Sequence, residues 1–115
     1  MTERRSKYNA QPVTADGVHF DSHRELDRYD TLKLLEQAGT IRNLVVHPKY
    51  ELQPAFRKNG KTYRAISYEG DFQYQEVETG GLVIEDVKGF ETATFKLKMK
   101  MFLYRYPGVD FRIVR

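Results

Sequence analysis

At 115 residues, with 19 Lys and Arg against 16 Asp and Glu, the chain has the length of one domain around one core and a net charge of only +3, too small a bias to define a partner by itself. It contains no cysteine, which excludes a disulfide scaffold and any thiolate metal site and leaves oxygen or imidazole donors for a bound metal. No apolar run nears the roughly 18 residues of a membrane span, and the start Met1-Thr2-Glu3-Arg4-Arg5 lacks the apolar core of a secretion signal, so a cytoplasmic protein with no membrane partner is expected.

Residues 1–20 show no sustained periodicity and are expected to form an N-terminal arm with a turn at Ala15-Asp16-Gly17, ahead of a single domain over 21–115. Helix signals begin at Ser22, with Glu25 three positions on. Leu26, Tyr29, Leu32, Leu35 and Ala38 follow at three-residue steps up to Gly39, which predicts one amphipathic helix over 22–38. Ile41, Leu44, Val45, Val46, Tyr50 and Leu52 then read as a first strand, interrupted by Pro48 and closed by Pro54. Asn59-Gly60 favours a tight reversal, after which 62–77 alternates as a long strand that Gly70 bends.

A second turn at Glu78-Thr79-Gly80-Gly81 leads into 82–88, a β-branched strand expected to pair antiparallel with the one before it. Phe95, Met99, Phe102 and Tyr106 carry helical spacing over 92–106, ended by Pro107-Gly108, and 109–114 forms a last strand. The order helix, three strands, helix, strand predicts an α/β or α+β domain with one mixed sheet flanked by two helices. Leu26, Tyr29, Phe72, Val87, Phe95, Met99 and Phe102 are the expected core, and strand packing is expected for Tyr63, Tyr68 and Tyr74 as well.

The chemistry-bearing residues collect on the central strands. Strand residues two apart share a face, so Asp86 and Lys88 stand side by side, while Asp71 on the preceding strand lies one hairpin away. Carboxylates at that separation repel unless a cation joins them, and oxygen-only donors suit Mg²⁺ or Mn²⁺. Such an ion with a lysine beside it suits hydrolysis of a phosphodiester. Two alternatives stand open. A β-bulge would put Glu85 rather than Asp86 on the site face, although plain alternation favours Asp86. Ser22-x-x-Glu25 also reads as a capping box, which would occupy the Glu25 carboxylate structurally.

Basic residues gather at Arg4, Arg5 and Lys7, around 57–64 and over 88–100. They suit a phosphate-facing surface if the fold unites them, with Lys96 and Lys100 one helical turn apart as the preferred DNA-binding pair and the N-terminal three touching phosphates or a second subunit. The three histidines, His19, His23 and His47, lack the close spacing of a zinc site.

Tyr68-Glu69-Gly70-Asp71-Phe72 followed by Val83-Ile84-Glu85-Asp86-Val87-Lys88-Gly89 resembles the D…(D/E)xK hairpin of the PD-(D/E)xK nuclease superfamily, with Gly70 where the superfamily's proline stands. Lys7-Tyr8-Asn9-Ala10, Phe20-Asp21-Ser22 with Glu25, the Glu-Asp-Val-Lys-Gly run and Phe102-Leu103-Tyr104 before Pro107 are similar to short phage and prophage proteins described as Holliday-junction-resolvase-like. The resemblance covers nearly the whole chain. It implies a restriction-endonuclease-like core in a phage- or prophage-encoded protein of a bacterial host cell. It further implies Mg²⁺ or Mn²⁺ held by Asp71, Asp86 and the Val87 carbonyl with help from Glu25, Lys88 as catalytic cation, a branched DNA substrate and a homodimer. The alternative is a DNA-binding module that keeps the fold without turnover.

Overall fold

The computed structural model describes residues 12–115. Val13–Ala15 (β1) and Val18–Phe20 (β2) form a hairpin whose turn residues, Asp16 and Gly17, sit at φ 52° and 74°, the two positive angles a tight reversal requires. The expected arm is therefore ordered structure from Val13 onward, and it feeds the core: Phe20 is fully buried, its ring 5.0 Å from that of Tyr29. Two three-residue strands are too short to register as periodicity, which is why the sequence reads there as unstructured. Arg4, Arg5 and Lys7 lie outside the described residues.

His23–Gln37 (α1) matches the predicted helix closely, because Ser22 caps it by accepting the Glu25 N–H and Gly39 takes a positive φ just beyond its end. Ile41–Val46 (β3) follows. The sequence then predicts one strand through Leu52, but His47 turns at φ 56° and Pro48 offers no N–H to continue the ladder, so the chain leaves the sheet. It makes an excursion of four short strands: Lys49–Gln53 (β4), Phe56–Lys58 (β5), Lys61–Tyr63 (β6) and Ile66–Glu69 (β7). β4 pairs antiparallel with β7 and β5 with β6, each as a separate two-stranded sheet. The long strand expected over 62–77 is thus three strands, the last of them Phe72–Glu76 (β8).

Leu82–Val87 (β9), the helix Ala93–Arg105 (α2) and Asp110–Val114 (β10) complete the chain as expected, with β9 antiparallel to β8 and parallel to β10. The central sheet runs β10-β9-β8-β3, and α2 is the crossover that two parallel neighbours need. The fold is mixed α+β, with two helices and several sheets among the described residues and no closed barrel.

Strand alternation divides the interior in two. Val83 joins Phe20, Tyr29, Leu32, Ile41, Phe72 and Tyr74 beneath α1, while the adjacent Ile84 joins Leu52, Tyr68, Phe95 and Phe102 beneath α2. Consecutive residues of one strand point to opposite faces, so β9 carries both clusters. The excursion contributes to the second one, where Tyr50 and Tyr68 meet Phe102 at ring separations of 5.1 and 5.3 Å. The residues named as core in the sequence are buried or half-buried here, except Tyr63, which is exposed.

Candidate active site

Backbone geometry brings the acids together at the open end of the β8–β9 hairpin. The excursion begins and ends there, its two feet tied by Gly70 N–H to Pro48 carbonyl and His47 N–H to Asp71 carbonyl bonds, both 2.9 Å. Gly70 is a matter of space: a Cβ at this position would lie 3.1 Å from Ile84 Cγ2 and 3.2 Å from the Tyr68 hydroxyl. The Asp71 N–H then donates to the Glu85 carbonyl at 3.0 Å, fixing Asp71 against β9, and its Oδ2 accepts the Val87 N–H at 2.6 Å. Val87 enters the site through that N–H.

The acid two-residue run on β9 splits across the sheet. Glu85, 0 % exposed, faces α1, where Arg28 grips it through two bonds of 2.7 and 2.6 Å and the Tyr74 hydroxyl adds another. Its partner's guanidinium is raised above its ordinary pKa, chiefly by that hydrogen bond to Glu85, and the Tyr74 hydroxyl is raised by burial and then by the same carboxylate. Asp86, 2 % exposed, faces the other way, with Oδ2 accepting the Tyr68 hydroxyl at 2.6 Å and Oδ1 3.3 Å from Lys88 Nζ. β9 carries no bulge at this point, so alternation assigns Asp86 and not Glu85 to the face of Lys88.

Glu25 serves two purposes with one carboxyl group. Its Oε2 accepts the Asp21 N–H at 2.7 Å, one residue earlier than a standard capping box would have it, and the carboxyl also hydrogen-bonds Asp71. It is only 6 % exposed. The Lys88 ammonium lies 4.7 Å from the centre of the Phe95 ring, so α2 also supports the lysine.

These contacts leave the acids short of compensation. Asp71 is pushed up to about 8 by burial and then by the Glu25 carboxyl, against the pull of the Val87 N–H and Lys88. Asp86 is pushed up to about 6 by burial and then by the charge of Asp71, with the Tyr68 hydroxyl and Lys88 opposing. Tyr68 is raised strongly, by burial first and Asp86 second. The Lys88 ammonium is close enough to Asp86 Oδ1 for charge attraction but misaligned for a hydrogen bond, so this buried oxygen accepts none among the described residues. A cation would satisfy it, and oxygen donors from Asp71 and Asp86 are the kind that Mg²⁺ or Mn²⁺ takes. As placed, however, no three His or acidic side chains among the described residues stand ready to enclose a metal ion.

Of the residues singled out in the sequence, Glu25, Asp71, Asp86, Val87 and Lys88 come together. Lys96 and Lys100 are exposed on α2, away from these acids in the hydrogen-bond and ion-pair network. Sequence reasoning missed Arg28, although the signal existed: Arg28 stands one helical turn before Leu32 on an apolar stripe, a position that demands a buried acid partner. It also missed Arg24, whose Nη1 would be 2.7 Å from a Cβ at Gly89. Arg24 and Arg28 line a cleft of about 270 Å³ with Asp27, Thr31, Val87, Val114 and Arg115. Tyr68 was expected to pack, and it does, but its hydroxyl is also the hydrogen-bond donor to Asp86.

Fold and site together define a small mixed α+β domain with a buried carboxylate and lysine cluster at one end of its central hairpin. The chain belongs to the family described as protein of unknown function (DUF1064), which it matches over residues 5–115. No curated protein and no solved structure matches it.

Proposed function

We propose that this protein is a metal-dependent endonuclease that hydrolyses DNA phosphodiesters at the cluster of Asp71, Asp86 and Lys88, with Glu25 assisting. One observation carries the reading: Asp71, between β7 and β8, and Asp86, on β9, gather around one lysine, burial and then a neighbouring carboxyl group (Glu25 for Asp71, Asp71 for Asp86) hold both toward their protonated forms, and a buried Asp86 oxygen accepts no hydrogen bond. Nothing in the packing of the hydrophobic clusters calls for such an arrangement, which opposes stability without an added cation.

In this reading Asp71 and Asp86 would hold Mg²⁺ or Mn²⁺ together with the Val87 carbonyl, with Glu25 assisting. A bound divalent ion supplies an activated water and stabilises charge developing on the phosphate. Lys88 adds a fixed positive charge on the same side, steadied by Asp86 and the Phe95 ring. Tyr68 is a positioning residue that orients Asp86. The resemblance to PD-(D/E)xK nucleases supports the assignment of a restriction-endonuclease-like core. It alone supports the finer expectations, namely branched DNA, a homodimer cutting two strands, and a role in phage DNA recombination or repair.

The test is cleavage of linear, forked and four-way DNA in Mg²⁺, Mn²⁺ or EDTA by the wild type, Asp86→Asn and Lys88→Ala. Cutting that needs a divalent ion and falls by about 10²-fold or more in either variant, with the fold intact by circular dichroism, is the expected outcome. DNA binding that persists in EDTA with no cutting under any condition would instead identify a binding module.

A further inference from the structure

The tip of the excursion is an unusual piece of surface. Every residue from 54 to 66 is exposed, and β5 and β6 pair only with each other. Phe56 and Tyr63, 43 % and 41 % exposed, stack face to face with ring centres 4.9 Å apart and planes within 11°. Lys61 Nζ lies 5.3 Å from the centre of the Tyr63 ring. Arg57, Lys58, Lys61 and Arg64 supply four cations, whereas residues 52–68 contain no Asp or Glu. None of the four makes an ion pair among the described residues.

Stability does not account for this composition. An isolated two-stranded hairpin is marginal in water, and Lys58 lies directly across from Lys61 in the ladder, a like-charge pairing that destabilises a hairpin further. A polyanion lying along the ribbon reverses the sign of that interaction. Alternation puts Phe56, Lys58, Lys61 and Tyr63 on one face and Arg57 with Thr62 on the other, so both faces carry positive charge. Two strands about 4.8 Å apart, with their side chains, fit a major groove about 12 Å wide.

The ribbon is also tied to the candidate site. Both feet of the excursion are pinned at Asp71 and its neighbour Gly70. Lys49 through Lys58 spans ten residues, so the tip lies no further than roughly 33 Å from that end, about one turn of B-DNA.

We infer that the β5–β6 ribbon is a duplex-DNA-binding arm, inserting into the major groove and contacting phosphates through Lys58 and Lys61, within one helical turn of the site where the strand is cut. This inference rests on the endonuclease reading for the cut itself, but its binding component is separately measurable. The stacked Phe56–Tyr63 pair stiffens the ribbon, and the phosphate contacts make the arm sequence-tolerant.

The experiment compares wild type, Lys58→Gln/Lys61→Gln and Lys58→Arg/Lys61→Arg in binding a 30-base-pair duplex and a single strand of the same length. EDTA is present throughout, and KCl is varied. The glutamine variant should bind duplex at least tenfold more weakly, with the slope of log K against log salt shallower by about two. The arginine variant should retain both the affinity and the slope. Equal duplex affinity and slope in the glutamine variant overturns the arm, and a loss confined to the single strand overturns the groove assignment. If that variant binds as the wild type does while the wild type cuts DNA in Mg²⁺, only the arm falls. If the wild type binds no DNA, the arm and the endonuclease reading fall together.

Discussion

Asp71→Asn is expected to make the protein more stable at alkaline pH. The amide preserves the local contacts, since its oxygen accepts the Val87 N–H and its nitrogen donates to the Glu25 carboxyl. What disappears is a buried negative charge. Asp71 titrates at about 8 in the folded chain against an ordinary 3.8, so between those values the folded state binds more protons than the unfolded state and the wild type loses stability as pH rises. At about 1.36 kcal/mol per pH unit the ceiling is near 6 kcal/mol. Because the group is half-buried, solvent and relaxation reduce this to about 2 kcal/mol. For a domain of this size that is a rise in Tm of about 8 °C.

The assay is thermal unfolding of both proteins in EDTA from pH 4 to pH 9, taking the difference so that common titrations cancel. The gap should be near zero at pH 4, open through neutrality and level off above pH 8, and Mg²⁺ should narrow it by stabilising the wild type alone. A gap that is flat across this range, or one that closes as pH rises, would refute the argument that Asp71 carries an uncompensated charge.

Two further substitutions probe the framework around the cluster. Arg28→Ala strips the fully buried Glu85 of its bidentate partner and should cost about 3 kcal/mol in chemical denaturation at neutral pH. Gly70→Ala forces a methyl group against Ile84 and the Tyr68 hydroxyl, and should cost about 1–2 kcal/mol. It should also weaken divalent-ion stabilisation through displacement of Tyr68 from Asp86, and a variant with wild-type Tm and metal response would show that the site can yield there.

The helices were legible in the sequence because each carries several turns of apolar spacing between strong signals, Ser22 and Gly39 for one, Thr92 and Pro107 for the other. The parts that escaped are short. Strands of three residues show no period, so the β1–β2 hairpin looked like an arm. The excursion looked like the continuation of longer strands, since alternation persists across the breaks at His47 and Gly70 while the pairing partner changes. The acids and the lysine of the site could be named from spacing in one strand and one hairpin. The choice between Glu85 and Asp86 depended on what lies opposite each, Arg28 and Tyr74 for one, Tyr68 and Lys88 for the other, and such neighbours come from distant segments. No local signal marks Tyr68, whose hydroxyl reaches Asp86 only because the chain re-enters the sheet just after it.

The alternation of Val83 and Ile84 between two apolar layers restricts how this strand can vary. With Lys88 held in place, inserting or deleting one residue between Asp86 and Lys88 would exchange which layer each side chain enters and swing Glu85 toward the lysine while burying Asp86 against Arg28. The hydrophobic interior thus acts as a ruler for the acidic run: the strand accepts replacements position by position, but not a change in its length.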